Sequence, residues 1–168
     1  MAVMAIASSI DDVRRFRNES LYRSLTRTLR VYNKRMVDGV RARGFTDFSP
    51  AFPQILSNLD VRGTRIGVLA ARAGVTRQGA GQLVEEIERC GYVQRKQAKD
   101  DARATVVQFT PKGRRLIATI LELAMAIEVS LDELLGPREF DRVRSGLVRI
   151  ADAVDPVGAF GAEDDKGT

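Results

Sequence analysis

Leu69 to Gly113 reads LAARAGVTRQGAGQLVEEIERCGYVQRKQAKDDARATVVQFTPKG, and this stretch decides the fold. Ala70 is small enough to let another helix approach, and Gly74, four residues on, supplies the positive φ that ends a helix in a tight turn. Thr76 then stands as an N-cap whose hydroxyl can accept from the free N–H groups of the next turn. Ala80, Leu83, Val84 and Ile87 recur at helical spacing and mark one buried face. Arg77, Gln78 and Gln82 fall mostly off that face, near the helix start. Gly91 is a natural stop, and Val93–Lys96 and Thr105–Phe109 read as two strands joined by a polar segment. The sum is helix, turn, helix and basic hairpin, a winged helix-turn-helix. In such a motif the start of the second helix meets base edges.

Working backwards, residues 10 to 43 read as one long helix. Leu21, Leu25, Leu29, Tyr32, Met36 and Val40 keep to a single stripe, with arginines and lysines around the rest. About thirty residues span roughly 45–50 Å, more than a small core covers, so part of the stripe is expected to meet another subunit. Gly44 ends that helix. Ser49-Pro50 reads as the start of the next, with Phe52, Ile55, Leu56 and Leu59 inside. Thr64 reads as the cap of the short helix that carries Leu69 and Ala70.

Working forwards, Thr110-Pro111 opens a helix to about Leu135. Its expected interior is Leu116, Ile117, Ile120, Leu121, Ala124, Ile127, Leu131 and Leu134. Gly136-Pro137 breaks it, and Phe140, Val143, Leu147, Ile150 and Val154 stripe a last helix. From Asp155 the chain turns Gly-rich and acidic and reads as a disordered tail.

Charge and composition narrow the function. The net charge is +5, and residues 155–168 hold four acids and one base, which leaves +8 on the body. Between Arg89 and Arg115 stand eight bases and two acids, beside the helix-turn-helix. A solvated basic surface would account for an excess of this kind, but at that place it favours a polyanion partner. With no His and one Cys, a Ser-His-Asp or Cys-His nucleophile system, the usual zinc sets and an internal disulfide are excluded. No catalytic, cofactor or metal site is expected. No apolar run is long enough to span a bilayer, and MAVMAIASSI lacks a basic start, so a soluble, cytoplasmic protein is expected.

The element order, with GYV and the run DARATVVQFTPKG, resembles the MarR family of bacterial transcription regulators, across roughly residues 10 to 154. The family's wing reads D-x-R-A, alternating apolar residues, then L-T-x-K-G. Asp101, Arg103, Ala104, Val106, Phe109, Thr110, Lys112 and Gly113 fill those places. Two departures stand out: Ala102 where many members have a second Arg, and Phe109 for the usual Leu.

The resemblance implies a mainly α fold with a small β-hairpin wing. Residues 49–110 would form a DNA-binding lobe, 10–48 and 111–154 dimerisation helices, 1–9 a flexible N-terminus and 155–168 the acidic tail. It implies an obligate homodimer on a pseudo-palindromic operator, and repression relieved by a small, often aromatic or phenolic effector. On this reading Arg77, Gln78 and Gln82 address base edges, since Arg and Gln carry the donor sets for guanine and adenine. Thr76 and the N–H groups at the helix start hold a phosphate. Arg95, Lys96, Lys99 and Arg103 contact the DNA backbone or minor groove from the wing. Leu29, Tyr32, Phe48 and Phe52 are candidates to line the effector cleft, with a core role as the competing reading.

Gly79 and Gly81 are odd in such a helix, each costing about 0.8–1 kcal/mol relative to Ala. Either they pack closely, or the missing Cβ lets the helix, at Gly79 for instance, lie nearer the bases. Cys90, next to Arg89, is either a small buried hydrophobe or a thiol activated by that arginine. Two other functions stay open: a ligand-independent or architectural DNA-binding protein, and a protein-interaction module that reuses the fold. The latter predicts a neutral or acidic recognition surface.

Overall fold

The computed structural model describes residues 10–97 and 105–154. Residues 1–9, the wing tip with Lys99 and Arg103, and the tail from 155 lie outside the described residues. The chain runs through α1 (Ile10–Glu19), α2 (Leu21–Ala42), α3 (Pro53–Leu56), β1 (Thr64–Arg65), α4 (Ile66–Arg72), α5 (Arg77–Arg89), β2 (Val93–Gln97), β3 (Thr105–Phe109), α6 (Pro111–Leu135) and α7 (Pro137–Val154). It is mainly helical, with one small antiparallel sheet of order β1-β3-β2.

Four expectations change. The helix read over 10–43 is two helices, because Ser20 takes an extended ψ of 137° and its hydroxyl accepts from the Arg23 N–H, starting α2 afresh. Ser49-Pro50 opens only a turn; helix geometry begins at Pro53, whose missing N–H is harmless in a first turn. Thr64 does not cap α4. It lies in β1 opposite Val107, so the hairpin becomes a three-stranded sheet, and Arg65 is the capping position. Two residues expected inside α6, Leu121 and Leu134, are exposed, whereas Leu116 and Ile127 are buried.

The core gathers under the helix-turn-helix. Val40 of α2, Phe48 and Phe52 of the following segment, Ile55, Leu69, Ala80, Val84, Ile87, Tyr92, Val107 and Leu116 are all but inaccessible. Phe52 meets both Phe48 and Tyr92 edge to face, at centroid distances of 5.8 and 6.3 Å. Gly74 closes the α4–α5 turn with φ +64°, which lets Val75 donate back to the Ala70 carbonyl at 3.0 Å. Asp60 fastens the β1 turn to α4, accepting from the Thr64 hydroxyl at 2.9 Å and Arg72 Nη1 at 2.8 Å.

The wing returns to start α6 through a tight joint. Thr110 N–H donates to the Tyr92 carbonyl at 3.0 Å, and its hydroxyl donates to Gly91 O at 2.6 Å. The same oxygen accepts from Gly113 N–H at 3.0 Å, capping α6. Gly113 lies so close that a Cβ there would collide with the Tyr92 carbonyl. Gly113→Ala should therefore destabilise the fold by about 3 kcal/mol, read as a lower midpoint in urea unfolding. An unchanged midpoint would mean that the joint relaxes freely.

Candidate nucleic-acid interface

Thr76 caps α5 with an extended backbone (ψ 152°) and accepts from Gly79 N–H at 3.1 Å. Among the described residues the cap leaves the Arg77 and Gln78 N–H groups of the first turn without a partner in the helix, pointing off its positive end. Ala80, Val84 and Ile87 are buried, which turns Thr76, Arg77, Gln78 and Gln82 outward together. From the wing, Arg95 and Lys96 are exposed on β2. The structure thus brings six of the sequence-predicted residues to the surface of one helix and its adjoining strand.

The glycines separate. A Cβ on Gly81 would meet nothing within 4 Å, so packing does not require it. One on Gly79 would touch only the Thr76 hydroxyl, at 3.2 Å.

Sequence reading missed how the acids are tied down. Glu88, near the end of α5, accepts from Arg95 twice: from its backbone N–H at 2.8 Å and from Nε at 2.7 Å. Asp47 accepts from the Tyr92 hydroxyl and from Lys112 Nζ, the latter at 3.1 Å. Lys112 also donates to the Cys90 carbonyl at 2.8 Å and lies 4.5 Å from the Tyr92 ring centroid. Neither pairing follows a helical or strand period, so no spacing rule announces it.

These contacts set the local titration. Burial opposes the charge on Asp47, but hydrogen bonds from Tyr92 and Lys112 outweigh it and hold its pKa below the ordinary aspartate value. Burial, then the hydrogen bond and charge of Asp47, push the Tyr92 hydroxyl far up. Cys90 is half-buried, and burial together with Asp47 raises its pKa in spite of Lys112 and Arg89. Its thiol is thus held protonated, the opposite of an activated thiolate.

The proposed cleft residues lie apart. Tyr32, partly buried, lines a cleft of about 380 Å³ between α2 and α6, with Arg27, Val31, Arg35, Ile127 and Leu131. Leu29 is exposed on α2, and Phe48 and Phe52 sit in the core. Among the described residues no cluster of His, Cys, Asp and Glu could hold a metal ion, and no helix is long and apolar enough to cross a membrane.

A model of the MarR family matches residues 46–104, the whole of the capped helix and most of the wing. An uncharacterised HTH-type transcriptional regulator of Bacillus subtilis, YfiV, is 28% identical over 111 residues, covering 65% of this chain and 69% of that protein. The structure of the transcriptional repressor CouR bound to a 23-mer DNA duplex superposes with a TM-score of 0.67 at 27% identity, covering 81% of this chain and 95% of that one. The crystal structure of MarR gives a TM-score of 0.70 at 18% identity, over 84% of this chain and 95% of that one, a likeness of fold.

Because Asp47 has a lowered pKa in the fold, its contribution to stability is present above the unfolded value, about 3.9, and is lost as pH falls through the folded value. Denaturant midpoints measured downward from pH 5 should fall for the wild type and fall less for Asp47→Asn. Parallel curves would mean that Asp47 contributes nothing to acid sensitivity.

Proposed function

We propose that the chain is a transcription regulator of the MarR family, whose model matches residues 46–104, and that it binds a pseudo-palindromic operator as a homodimer, acts as a repressor, and is released by a small aromatic or phenolic effector. One observation carries this: an exposed, capped helix that presents Arg77, Gln78 and Gln82 beside a basic wing strand sits on the same chain as helices whose apolar stripes are uncovered. Phe16 of α1, Leu21 and Leu25 of α2, and Val143, Leu147 and Ile150 of α7 are all exposed. Burying a side chain of this size contributes about 1.5–3 kcal/mol. A second copy packed on those helices would recover that energy and place two reading heads on successive major grooves.

Arg77, Gln78 and Gln82 then address base edges, with the Thr76 turn on a phosphate. Arg95 and Lys96, with Lys99 and Arg103 of the wing tip, contact the DNA backbone or minor groove. The effector enters the cleft at Tyr32. Arg27 and Arg35 would favour an anionic group, and Val31, Ile127 and Leu131 an apolar ring. Burial and the nearby Glu128 raise the Tyr32 pKa, which keeps its hydroxyl a hydrogen-bond donor. Leu29, exposed on α2, and Phe48 and Phe52, buried in the core, do not line the cleft. A ligand there bears on the α2–α6 packing and so favours one separation of the reading heads.

The test is a titration of DNA from upstream of the chain's own gene across a salt series. Sequence-dependent binding of two chains per duplex is expected, with log K falling steeply against log salt and phenolic acids releasing the complex. Arg77→Ala or Gln78→Ala should cost about 1–3 kcal/mol and relax specificity, whereas Lys96→Ala should weaken all duplexes alike and lower the slope by about one. Silence to every phenolic acid would favour a ligand-independent regulator. A folded protein that ignores DNA at low salt would favour the interaction module.

Gly81→Ala offers a separate check. It should stabilise the free protein by about 0.8–1 kcal/mol, since the added methyl meets open space. Its DNA binding should nevertheless weaken, because the methyl projects where the duplex approaches. Equal or tighter binding would leave that glycine without a role at the interface.

A further inference from the structure

Glu88 presents a puzzle. A carboxylate on the reading helix, beside the wing, repels phosphate and should weaken any DNA complex. Yet its two oxygens are both committed to one residue, at 2.8 Å to the backbone N–H of Arg95 and at 2.7 Å to its Nε. The backbone contact has a plain role. β2 is an edge strand, and Glu88 satisfies an N–H that the sheet leaves unpaired. The side-chain contact has a different consequence. Held at Nε, the guanidinium cannot sweep its usual range of rotamers, and among the described residues its two Nη groups have no hydrogen-bond partner. They form a planar pair of donors of the kind that grips a phosphate bidentately. Arg95 stays 40% exposed in the pair, so that pair of donors is open to solvent.

We propose that Glu88 is a positioning residue for DNA: it pre-sets Arg95 against the end of the reading helix so that the two Nη groups meet a backbone phosphate flanking the bases read by α5. This rests on the DNA-binding reading above. It also reverses the sign expected from charge alone. Removing the acid weakens binding, because the ordering of a long side chain must then be supplied when DNA binds.

The test compares wild type, Glu88→Gln, Arg95→Ala and the double variant on the same upstream duplex and on a scrambled one, across salt. Glutamine's carbonyl can still accept from the Arg95 backbone N–H, so the strand edge stays satisfied. Its amide nitrogen cannot accept from Nε. Thermal unfolding of the free proteins should therefore change little for Glu88→Gln, whereas its affinity should fall about five- to tenfold, with a salt slope reduced by about one, as in Arg95→Ala. The double variant should be no weaker than Arg95→Ala alone, because the acid acts through the arginine. Equal or tighter binding by Glu88→Gln, or losses that simply add, would overturn the proposal while the DNA-binding reading stands. Absence of wild-type binding would overturn both.

Discussion

The Tyr92 carbonyl accepts from the Thr110 N–H and lies against a glycine, Gly113, that leaves no room for a side chain. Much of the reading head depends on that approach. It forces the wing to return directly beneath the end of α5 and makes the strand's exit the first turn of α6, capped by the same threonine. The reading helix and the long helix behind it are therefore joined through a short, hydrogen-bonded path. On its far side α6 meets α2 closely enough that Leu123 fills the space a Cβ on Gly39 would need, and Arg35 reaches Ser130 at 3.4 Å. Packed contacts thus run from α5 through α6 to α2.

Charge is arranged to the same end. Asp47 is bound by Tyr92 and Lys112, Asp60 by Thr64 and Arg72, and Glu88 by Arg95. Asp47, Asp60 and Glu88 are thus each spent on fastening one element to another, whereas Glu85 and Glu86 of α5 stay exposed. Among the described residues, Arg77 at the start of α5 and Lys96 on β2 have no acidic partner and keep their field. Elsewhere the ion pairs are of the exposed helical kind, such as Lys34–Asp38 and Arg144–Asp141, and these add little to stability. The Asp47 group has a second effect, since the carboxylate that anchors Tyr92 also disfavours ionisation of Cys90.

What the sequence made legible was local. Thr76 and Thr110 announce their helices because capping is a contact between residues three apart, and Gly74 announces its turn because only backbone freedom is at stake. The outward set Arg77, Gln78 and Gln82 follows from the 3.6-residue period of the buried one. The break at Ser20 was missed because the apolar stripe runs on past it, although its hydroxyl caps α2 just as Thr76 caps α5. β1 was missed for another reason. Two residues have no period, and their strand state exists only by pairing with Val106 and Val107, more than forty positions away. Glu88–Arg95 and Asp47–Tyr92 are likewise contacts made by the turn of the chain rather than by spacing. Phe48 and Phe52, which chain order left between a cleft and a core role, are in space edge-to-face partners in the core.

The distribution of burial divides the chain more sharply than its element boundaries do. Between Met36 and Leu116 most of the apolar side chains of the described residues lie in the core, Val61 and Val68 excepted. In α1 and α7 they do not. Both helices are amphipathic, yet neither buries a single residue. Helices of ten and eighteen residues get little stability from propensity alone, and their order has to come from what covers the apolar stripe. If a second copy covers it, as proposed, the stability of these helices and the spacing of the two heads are the same quantity. The cleft beside Tyr32 lies between α2, which adjoins α1, and α6, which adjoins α7. A small molecule seated there would act where the core meets the helices that need a partner. At that junction a modest difference in binding energy between two packings can be converted into a different distance between reading helices.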